Sequence, residues 1–299
     1  MRPDLLQQVE QGDHKAIARA ITYIENEIGN YLELMQQLQP SSTKIIGLTG
    51  PPGAGKSTLA DALIGLMVSQ NKHVAVICID PSSPFNQGAL LGDRIRMGQW
   101  FNEPLVFIRS LASRRNLGGL HPMIIEITEL LKAAPFDHII IETVGVGQSE
   151  IEIAGLADTT IVVLVPEAGD DVQTMKAGLM EIADIFVVNK ADRPGADMLV
   201  KSLNSMVRSA TTAQEKDIPV VKTIMSEKKG IEALMDMIMS HETYETKNDK
   251  KLWLLVEKAY QLIQRKRMSD IDRMQLFEEV KATYNSKGLN LYTLIKELY

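Results

Sequence analysis

A glycine-rich segment, GPPGAGKST at residues 50–58, follows the apolar run KIIGLT and precedes an amphipathic stretch. It matches the pattern G-x-x-x-x-G-K-[ST], in which a loop turns backbone N–H groups towards phosphate oxygens and a helix begins at the lysine. Lys56 is expected to reach the β- and γ-phosphates, and Ser57 to place its hydroxyl on Mg²⁺. The segment therefore predicts a phosphate site formed by Gly50, Pro51, Gly53, Ala54, Gly55, Lys56, Ser57 and Thr58.

A second motif, NKAD at residues 189–192, follows the apolar run IFVV. The carboxylate of Asp192 can accept hydrogen bonds from the N1–H and N2 amino groups of guanine, whereas adenine offers no such donor pair. We expect the Lys190 stem to lie along the base and Asn189 to tie this loop to the phosphate loop. The two motifs together predict a site for GTP and GDP rather than ATP. The third base contact, expected within residues 223–227, stays open.

Three acidic residues are placed to face the phosphate loop. Asp80 and Glu142 end apolar runs, and Asp93 lies in the segment GALLGDR. Carboxylates and a hydroxyl are ligands that Mg²⁺ prefers, so Ser57 and these three acids are the candidate metal ligands. Each acid taken singly is also compatible with a helix cap or a solvated loop. Gly145, in the glycine-containing stretch after Glu142, is expected to approach the γ-phosphate through its backbone N–H.

Three cations, Arg109, Arg114 and Lys176, follow strand ends on the expected nucleotide side. They are able to stabilise developing phosphoryl charge or to form surface ion pairs, and the residues alone leave both open. Hydrolysis is interpreted as in-line attack of water on the γ-phosphate, with positioning as the main contribution. The candidate catalytic residues are Lys56, Asp93, Glu142 and Lys176.

Short β-branched runs alternate with amphipathic segments through the middle of the chain. Apolar runs without polar alternation are typical of strands that are buried on both faces of a parallel sheet. The pattern predicts an α/β fold, a doubly wound and mostly parallel sheet of the P-loop NTPase type, with N-terminal and C-terminal helical extensions. We divide the chain into a helical segment at 1–40, a nucleotide domain at 41–240 and a helical arm at 241–299. The seven predicted strands are KIIGLTG, HVAVICID, LVFIRS, HIIIETVG, TTIVVLVP, IFVVNKAD and PVVKTIM.

The composition argues against several other classes of protein, namely nucleic-acid-binding, membrane and secreted proteins. The 299 residues carry a net charge of −6, without the basic excess of a nucleic-acid clamp. No apolar run reaches the length of about 18 residues that a transmembrane helix needs, so we expect no membrane association. The N-terminal residues lack the apolar core of a signal peptide, and a cytoplasmic location is expected. The single cysteine, Cys78, is interpreted as a buried strand residue.

The sequence contains the stretches GDHKAIARAITYIEN, GLTGPPGAGKSTL, DPSSPFNQGALLGDRIRM, FIRSLASRRNLGGL, IETVGVGQSE, PEAGDDVQTMKAG and NKAD. Through these stretches, residues 12–238 resemble the MeaB/ArgK group of P-loop GTPases, of the SIMIBI class. Beyond residue 241 the sequence resembles the group only in being helical.

The resemblance implies a homodimeric, GTP-dependent chaperone of an adenosylcobalamin-dependent acyl-CoA mutase, such as methylmalonyl-CoA mutase or a relative. Such a protein gates cofactor loading and protects the mutase, with slow intrinsic GTP hydrolysis. By position, Asp80, Asp93 and Glu142 match the magnesium and switch residues of the group. Residues 170–176 match an additional switch in which Lys176 contributes to hydrolysis, and the C-terminal helices match a dimerisation arm.

Two other functions are compatible with parts of the sequence. A metal-insertion GTPase needs closely spaced soft or imidazole ligands, but this chain has one cysteine and five scattered histidines. A nucleotide-dependent regulator of amino-acid transport that used ATP would leave the Asp192 carboxylate unpaired at the base. Both therefore rank below the mutase chaperone.

Overall fold

A computed structural model describes residues 4–80, 97–113, 120–145, 151–168, 178, 181–211, 218–243, 249–288 and 290–298. All seven predicted strands are present, and the residues of the five inner strands are almost entirely buried. The strands are β1 (Lys44–Thr49), β2 (Val74–Asp80), β3 (Val106–Ala112), β4 (His138–Glu142), β5 (Thr159–Leu164), β6 (Ile185–Val188) and β7 (Val220–Lys222).

The strands form one sheet in the order β3-β2-β4-β1-β5-β6-β7, and every neighbouring pair is parallel. The prediction of a doubly wound, P-loop-type sheet is confirmed. β1 lies at the centre, so the segment that follows it leaves from the carboxyl edge, where open α/β sheets bind ligands.

Eleven α-helices are found among the described residues. The helix that the glycine-rich motif predicts is present as α4, and it begins at Lys56. The helices are α1 (Leu5–Glu10), α2 (His14–Glu25), α3 (Tyr31–Gln37), α4 (Lys56–Ser69), α5 (Ile124–Lys132), α6 (Ile151–Leu156), α7 (Ala196–Thr211), α8 (Ile231–Thr243), α9 (Asp249–Arg267), α10 (Arg273–Lys287) and α11 (Leu291–Leu298).

The N-terminal helices follow from capping and from an apolar stripe. Asp13 caps α2, because its side chain accepts hydrogen bonds from the backbone N–H groups of Lys15 and Ala16. These bonds, the one from Ala16 above all, hold the pKa of Asp13 below its ordinary value. The apolar side chains at helical spacing form a stripe on one face of α2, and this face is buried. α2 packs against α5. Helical spacing alone predicts that Ile28 continues the stripe, which is wrong, because Ile28 lies beyond the helix end and is half exposed.

The chain forms two compact units, residues 1–251 and 252–299. The first contains the sheet and the N-terminal helices; the second consists of most of α9 with α10 and α11. No helix in the described ranges is both long and apolar enough to cross a membrane. The boundaries at residues 40 and 240 stay predictions.

Candidate nucleotide-binding site

The phosphate loop runs from the end of β1 to the first residue of α4, and its glycines meet specific neighbours. Gly50 has a φ of +135°, and a Cβ there would lie 2.1 Å from the backbone oxygen of Val163 on β5. Gly55 has a φ of +90°, and a Cβ there would lie 2.3 Å from Nδ2 of Asn189. A side chain at either position would therefore push the loop away from β5 or from the NKAD loop.

Lys56, the first residue of α4, is buried and points back into the loop. Its Nζ donates hydrogen bonds to the backbone oxygen of Gly50, at 2.8 Å, and of Pro51, at 3.3 Å. A Cβ on Gly145 would lie 2.4 Å from this Nζ and 2.7 Å from the Gly50 oxygen. Gly145 thus lies directly against the lysine, and its approach to the γ-phosphate stays a prediction.

The candidate magnesium ligands come from adjacent elements. The hydroxyl of Ser57 donates a 2.6 Å hydrogen bond to Oε1 of Glu142, and both side chains are buried. Asp80 is also buried and ends β2, which pairs with β4 so that Cys78 lies opposite Glu142. Next to them, the Thr143 hydroxyl donates to that of Thr49 at 3.2 Å.

This set fits a magnesium site, since a hydroxyl and a buried carboxylate meet beside the phosphate loop and a second buried carboxylate ends the neighbouring strand. No group of three or more His, Cys, Asp or Glu side chains within the described ranges is arranged to hold a metal by itself. Such a site is the kind in which Mg²⁺ takes its other ligands from phosphates and water. Asp93, the remaining predicted ligand, lies outside the described residues.

The NKAD loop is joined to the phosphate loop by two hydrogen bonds. Nδ2 of Asn189 donates to the backbone oxygen of Ala54 at 2.9 Å, and Nζ of Lys190 donates to that of Gly53 at 2.9 Å. Lys190 has a φ of +54°, so the loop turns sharply after Asn189. The side chain of Asp192 is exposed to solvent beyond this turn. The Asp192 carboxylate is therefore accessible to a ligand, while Asn189 and Lys190 hold the NKAD loop against the phosphate loop.

Thr223, just beyond β7, is a supporting residue whose role the sequence did not reveal. It is buried, and its hydroxyl donates to Oδ1 of Asn189 at 3.2 Å. Its backbone oxygen also accepts a hydrogen bond from the N–H of Ala191, at 3.1 Å. Within residues 223–227, where the third base contact is expected, Thr223 thus supports the NKAD loop through these two hydrogen bonds. A threonine directly after a short apolar strand was the only available signal.

Two arginines near the sheet, Arg109 and Arg193, form ion pairs with carboxylates. Arg109 on β3 pairs with Glu25 of α2 at 3.0 Å and donates to the Thr22 hydroxyl at 3.3 Å. Arg109 was interpreted above either as a group that stabilises phosphoryl charge or as an ion-pair partner, and in the structure it forms the ion pair. Arg193 bonds to Glu167 and holds the pKa of that carboxyl below its ordinary value. Arg114, Lys176 and residues 170–176 lie outside the described residues.

Residues 98–100 are attached to α4 by contacts that the sequence did not predict. Asp61 of α4 accepts hydrogen bonds from Nε1 of Trp100, at 2.7 Å, and from Nε2 of Gln99, at 2.6 Å. The Trp100 ring covers Gly65, where a Cβ would lie 3.6 Å from it. Residues 98–100 are thereby held against the helix that begins with Lys56 and Ser57.

Comparison with known proteins places this site in a family. The model of the methylmalonyl Co-A mutase-associated GTPase MeaB matches residues 17–281. The chain belongs to the MeaB family. The match extends past residue 238, where the resemblance in sequence ends, and includes α9 and most of α10.

Relatives of this family member include named GTPases. A Pyrococcus abyssi protein that is provisionally named a GTPase is 47% identical over 250 residues, which cover 82% of this chain and 77% of that protein. The GTPase ArgK of Escherichia coli is 40% identical over 193 residues, or 62% of this chain and 58% of ArgK. The fused isobutyryl-CoA mutase of Cupriavidus metallidurans is 36% identical over 230 residues, 74% of this chain but only 21% of that protein.

Solved structures agree on the fold. The crystal structure of an LAO/AO transport system kinase matches with a TM-score of 0.66 and 27% identity, covering 99% of this chain and 95% of that one. The hydrogenase maturation factor HypB of Archaeoglobus fulgidus matches with a TM-score of 0.50 and 17% identity, over 76% of this chain and 100% of that one. At that identity the second match shows the fold alone.

Proposed function

We propose that this chain binds GTP with Mg²⁺, hydrolyses it slowly, and acts as a chaperone of an adenosylcobalamin-dependent acyl-CoA mutase. The observation that carries the nucleotide part is the joining of the two motifs: Asn189 and Lys190 bond directly to Ala54 and Gly53. Because the two loops are adjacent, the base that Asp192 would bind and the phosphates that the glycine-rich loop would bind are parts of one ligand. That ligand is a guanine nucleotide, because only guanine satisfies the carboxylate with two donors.

The chain's own residues would act chiefly by positioning. The N-terminus of α4 and the loop N–H groups would hold the phosphates, and Lys56 would exchange its loop-carbonyl contacts for phosphate oxygens. Ser57 and Glu142 are already hydrogen-bonded to each other and would hold Mg²⁺ together with Asp80 and Asp93. The metal, when bound, would neutralise charge on the β- and γ-phosphates. Gly145 would place a backbone N–H near the γ-phosphate, and Lys176 would assist hydrolysis.

The mutase part of the proposal is supported by one relative and by the family description. In the Cupriavidus protein, a region similar to this chain occupies about a fifth of a polypeptide named a fused isobutyryl-CoA mutase. Fusion of two functions in one polypeptide is expected when the two proteins work in contact. We therefore propose that this chain supplies the GTPase as a homodimer in the cytoplasm. Its client would be a methylmalonyl-CoA or isobutyryl-CoA mutase.

The test is steady-state GTP hydrolysis by the purified chain, alone and with each candidate mutase. We expect one mutase to stimulate hydrolysis at least several-fold with GTP but not with ATP. The variant Lys56→Ala should abolish both basal and stimulated activity. GTP turnover that no cobalamin-dependent mutase alters would remove the client assignment and leave the nucleotide chemistry in place.

A second candidate comes from the matched LAO/AO transport system kinase. A kinase would transfer the γ-phosphoryl group to an acceptor other than water. Incubation with γ-labelled nucleotide separates the two: the chaperone proposal predicts label only in free phosphate, and label in a protein band would favour the kinase.

A further inference from the structure

One face of α4 continues from Ser57, a candidate magnesium ligand, to the contact with residues 98–100. Ser57, Asp61 and Gly65 follow one another at intervals of four residues, which places them on the same side of the helix. The ring of Trp100 lies over Gly65, and both hydrogen bonds at Asp61 end on the same oxygen, Oδ1. The tryptophan is therefore attached to α4 one to two turns beyond Ser57.

The same short segment is also attached to β2. Met97 is fully buried, and its Sδ lies 3.9 Å from Sγ of Cys78. Cys78 stands two residues before Asp80, the candidate magnesium ligand at the end of the strand. Residues 97–100 thus connect the strand that carries Asp80 with the helix that carries Ser57.

Regular turns carry the chain from this connection into β3. The N–H of Trp100 donates to the backbone oxygen of Met97 at 3.0 Å, and the N–H of Glu103 donates to that of Trp100 at 3.0 Å. The N–H of Val106, where β3 begins, then donates to the backbone oxygen of Glu103 at 3.0 Å. Asp93, the predicted ligand that precedes Met97 by four residues, lies outside the described residues. The connection is therefore the first described attachment of the chain after that residue.

Three contacts fix the position of residues 99 and 100 on the helix. Nε1 of Trp100 lies 2.7 Å and Nε2 of Gln99 lies 2.6 Å from Oδ1 of Asp61, and the tryptophan ring adds its contact with Gly65. Because directional bonds and a ring contact act together, the segment has one preferred place on α4. Asp61 is not among the residues expected to contact GTP or Mg²⁺, so its effect on the site must act through the groups that it holds.

We propose, on the basis of the proposed binding of GTP with Mg²⁺, that Asp61 is a positioning residue for the magnesium site. By holding residues 97–100 on α4, it keeps the end of β2 and the start of α4 in the arrangement in which Asp80 and Ser57 would bind the same metal ion. The hydrogen bonds that Asp61 accepts involve neither the phosphate loop nor the NKAD loop. Their loss should therefore weaken the binding of Mg²⁺ without slowing hydrolysis once the metal is bound.

The test replaces Asp61 in the full-length chain by two residues of similar shape. Asp61→Leu removes the acceptor, whereas Asp61→Asn keeps an oxygen that can accept both hydrogen bonds. Mg²⁺ is titrated calorimetrically into each chain saturated with a non-hydrolysable GTP analogue, and the Mg²⁺ dependence of GTP hydrolysis is measured in parallel.

We expect Asp61→Leu to raise the dissociation constant for Mg²⁺ about fivefold or more, and the Mg²⁺ concentration for half-maximal hydrolysis by the same factor. Its kcat at saturating Mg²⁺ should stay within about twofold of the wild type, because Asp61 touches no reacting group. Asp61→Asn should restore the affinity for Mg²⁺ to within about twofold of the wild type, since the acceptor is present again.

Two further variants separate positioning from other effects. Trp100→Phe keeps a ring over Gly65 but loses the Nε1–H donor, and it should weaken Mg²⁺ binding about twofold or more even if Asp61→Leu folds poorly. Asp236→Leu makes the same replacement at an exposed position of α8 and should leave Mg²⁺ binding unchanged. Urea unfolding of all variants measures any loss of stability independently.

Mg²⁺ affinity in Asp61→Leu equal to that of the wild type would overturn the proposal, even with a lower urea midpoint, because the bonds would then only stabilise the fold. Equal weakening by leucine and asparagine would overturn it as well, since the acceptor oxygen would not matter. A wild-type chain that binds no Mg²⁺ together with the analogue would instead refute the proposed nucleotide function, and the role of Asp61 with it.

Discussion

The side-chain amide of Asn189 is oriented by its neighbours on all sides. Its Oδ1 accepts hydrogen bonds from the Thr223 hydroxyl and from the backbone N–H of Lys190. Its Nδ2 must therefore face the phosphate loop, where it donates to Ala54. The Thr223 hydroxyl and the Lys190 N–H together thus fix the orientation of the Asn189 side-chain amide.

Replacing Thr223 tests this support. Thr223→Val keeps the shape and leaves Oδ1 of Asn189 with one donor fewer, which costs about 1 kcal/mol, or about fivefold in GTP affinity. Thr223→Ser retains the hydroxyl and should bind GTP as the wild type does. Isothermal titration with GTP measures both. Equal weakening by valine and serine would point to packing of the threonine methyl group instead.

Gly145 offers a second prediction for a single residue. Its φ is +83°, and a Cβ would lie 2.4 Å from Nζ of Lys56, so Gly145→Ala must displace the lysine or the loop. We expect GTP hydrolysis to fall at least tenfold. Gly29→Ala is the matched control, since Gly29 has a φ of +63° with no atom within 4 Å of a Cβ. Comparable losses in both variants would assign the effect to backbone strain rather than to crowding at Lys56.

Among the secondary-structure elements, α2 shows how a helix start contributes to stability. Asp13→Ala removes the side-chain cap and should lower the free energy of unfolding by about 1 kcal/mol at neutral pH. Asp4, at the start of α1, makes no cap hydrogen bond, so Asp4→Ala should change stability much less. Urea unfolding at pH 7 checks both, and equal effects would contradict the capping account.

The pH dependence of this cap has a definite sign. The pKa of Asp13 is lowered in the folded chain from its ordinary value of 3.8, mainly by the hydrogen bond from Ala16. Its stabilisation is therefore complete above about pH 5 and is lost as the pH falls through the lowered value. The stability difference between wild type and Asp13→Ala should shrink from pH 5 to pH 3. A difference that stays constant from pH 5 to pH 3 would contradict the assignment.

Elements were easier to predict from the sequence than contacts between them. All seven strands and the start of α4 follow from apolar runs and from one glycine-rich motif, because these signals are local in the chain. The ion pair of Arg109 with Glu25 and the bond of Thr223 to Asn189 depend on which elements become neighbours. The order of strands in the sheet decides that, and no spacing along the chain reveals it.

At the scale of the whole molecule, the second unit exposes large apolar side chains. Trp253 is 68% exposed, Phe277 55% and Tyr284 68%, within a unit of helices only. Surfaces of this kind mark association sites, which agrees with the proposed homodimer. Trp253→Glu combined with Phe277→Glu should shift the chain from dimer to monomer in sedimentation velocity, while nucleotide affinity stays within twofold. A wild-type chain that is monomeric at tens of micromolar would contradict the dimer.

The central claim is that one continuous site reads guanine through Asp192 and holds phosphates through the glycine-rich loop. The most direct measurement is equilibrium titration of wild type and Asp192→Asn with GTP, ATP and XTP in the presence of Mg²⁺. Xanthine carries an oxygen where guanine carries the N2 amino group, and an asparagine amide can donate to that oxygen. The account predicts that the wild type binds GTP at least a hundredfold more tightly than ATP or XTP, and that Asp192→Asn reverses the order of GTP and XTP. Equal affinity of the wild type for GTP and ATP, or an unchanged preference in Asp192→Asn, would contradict it.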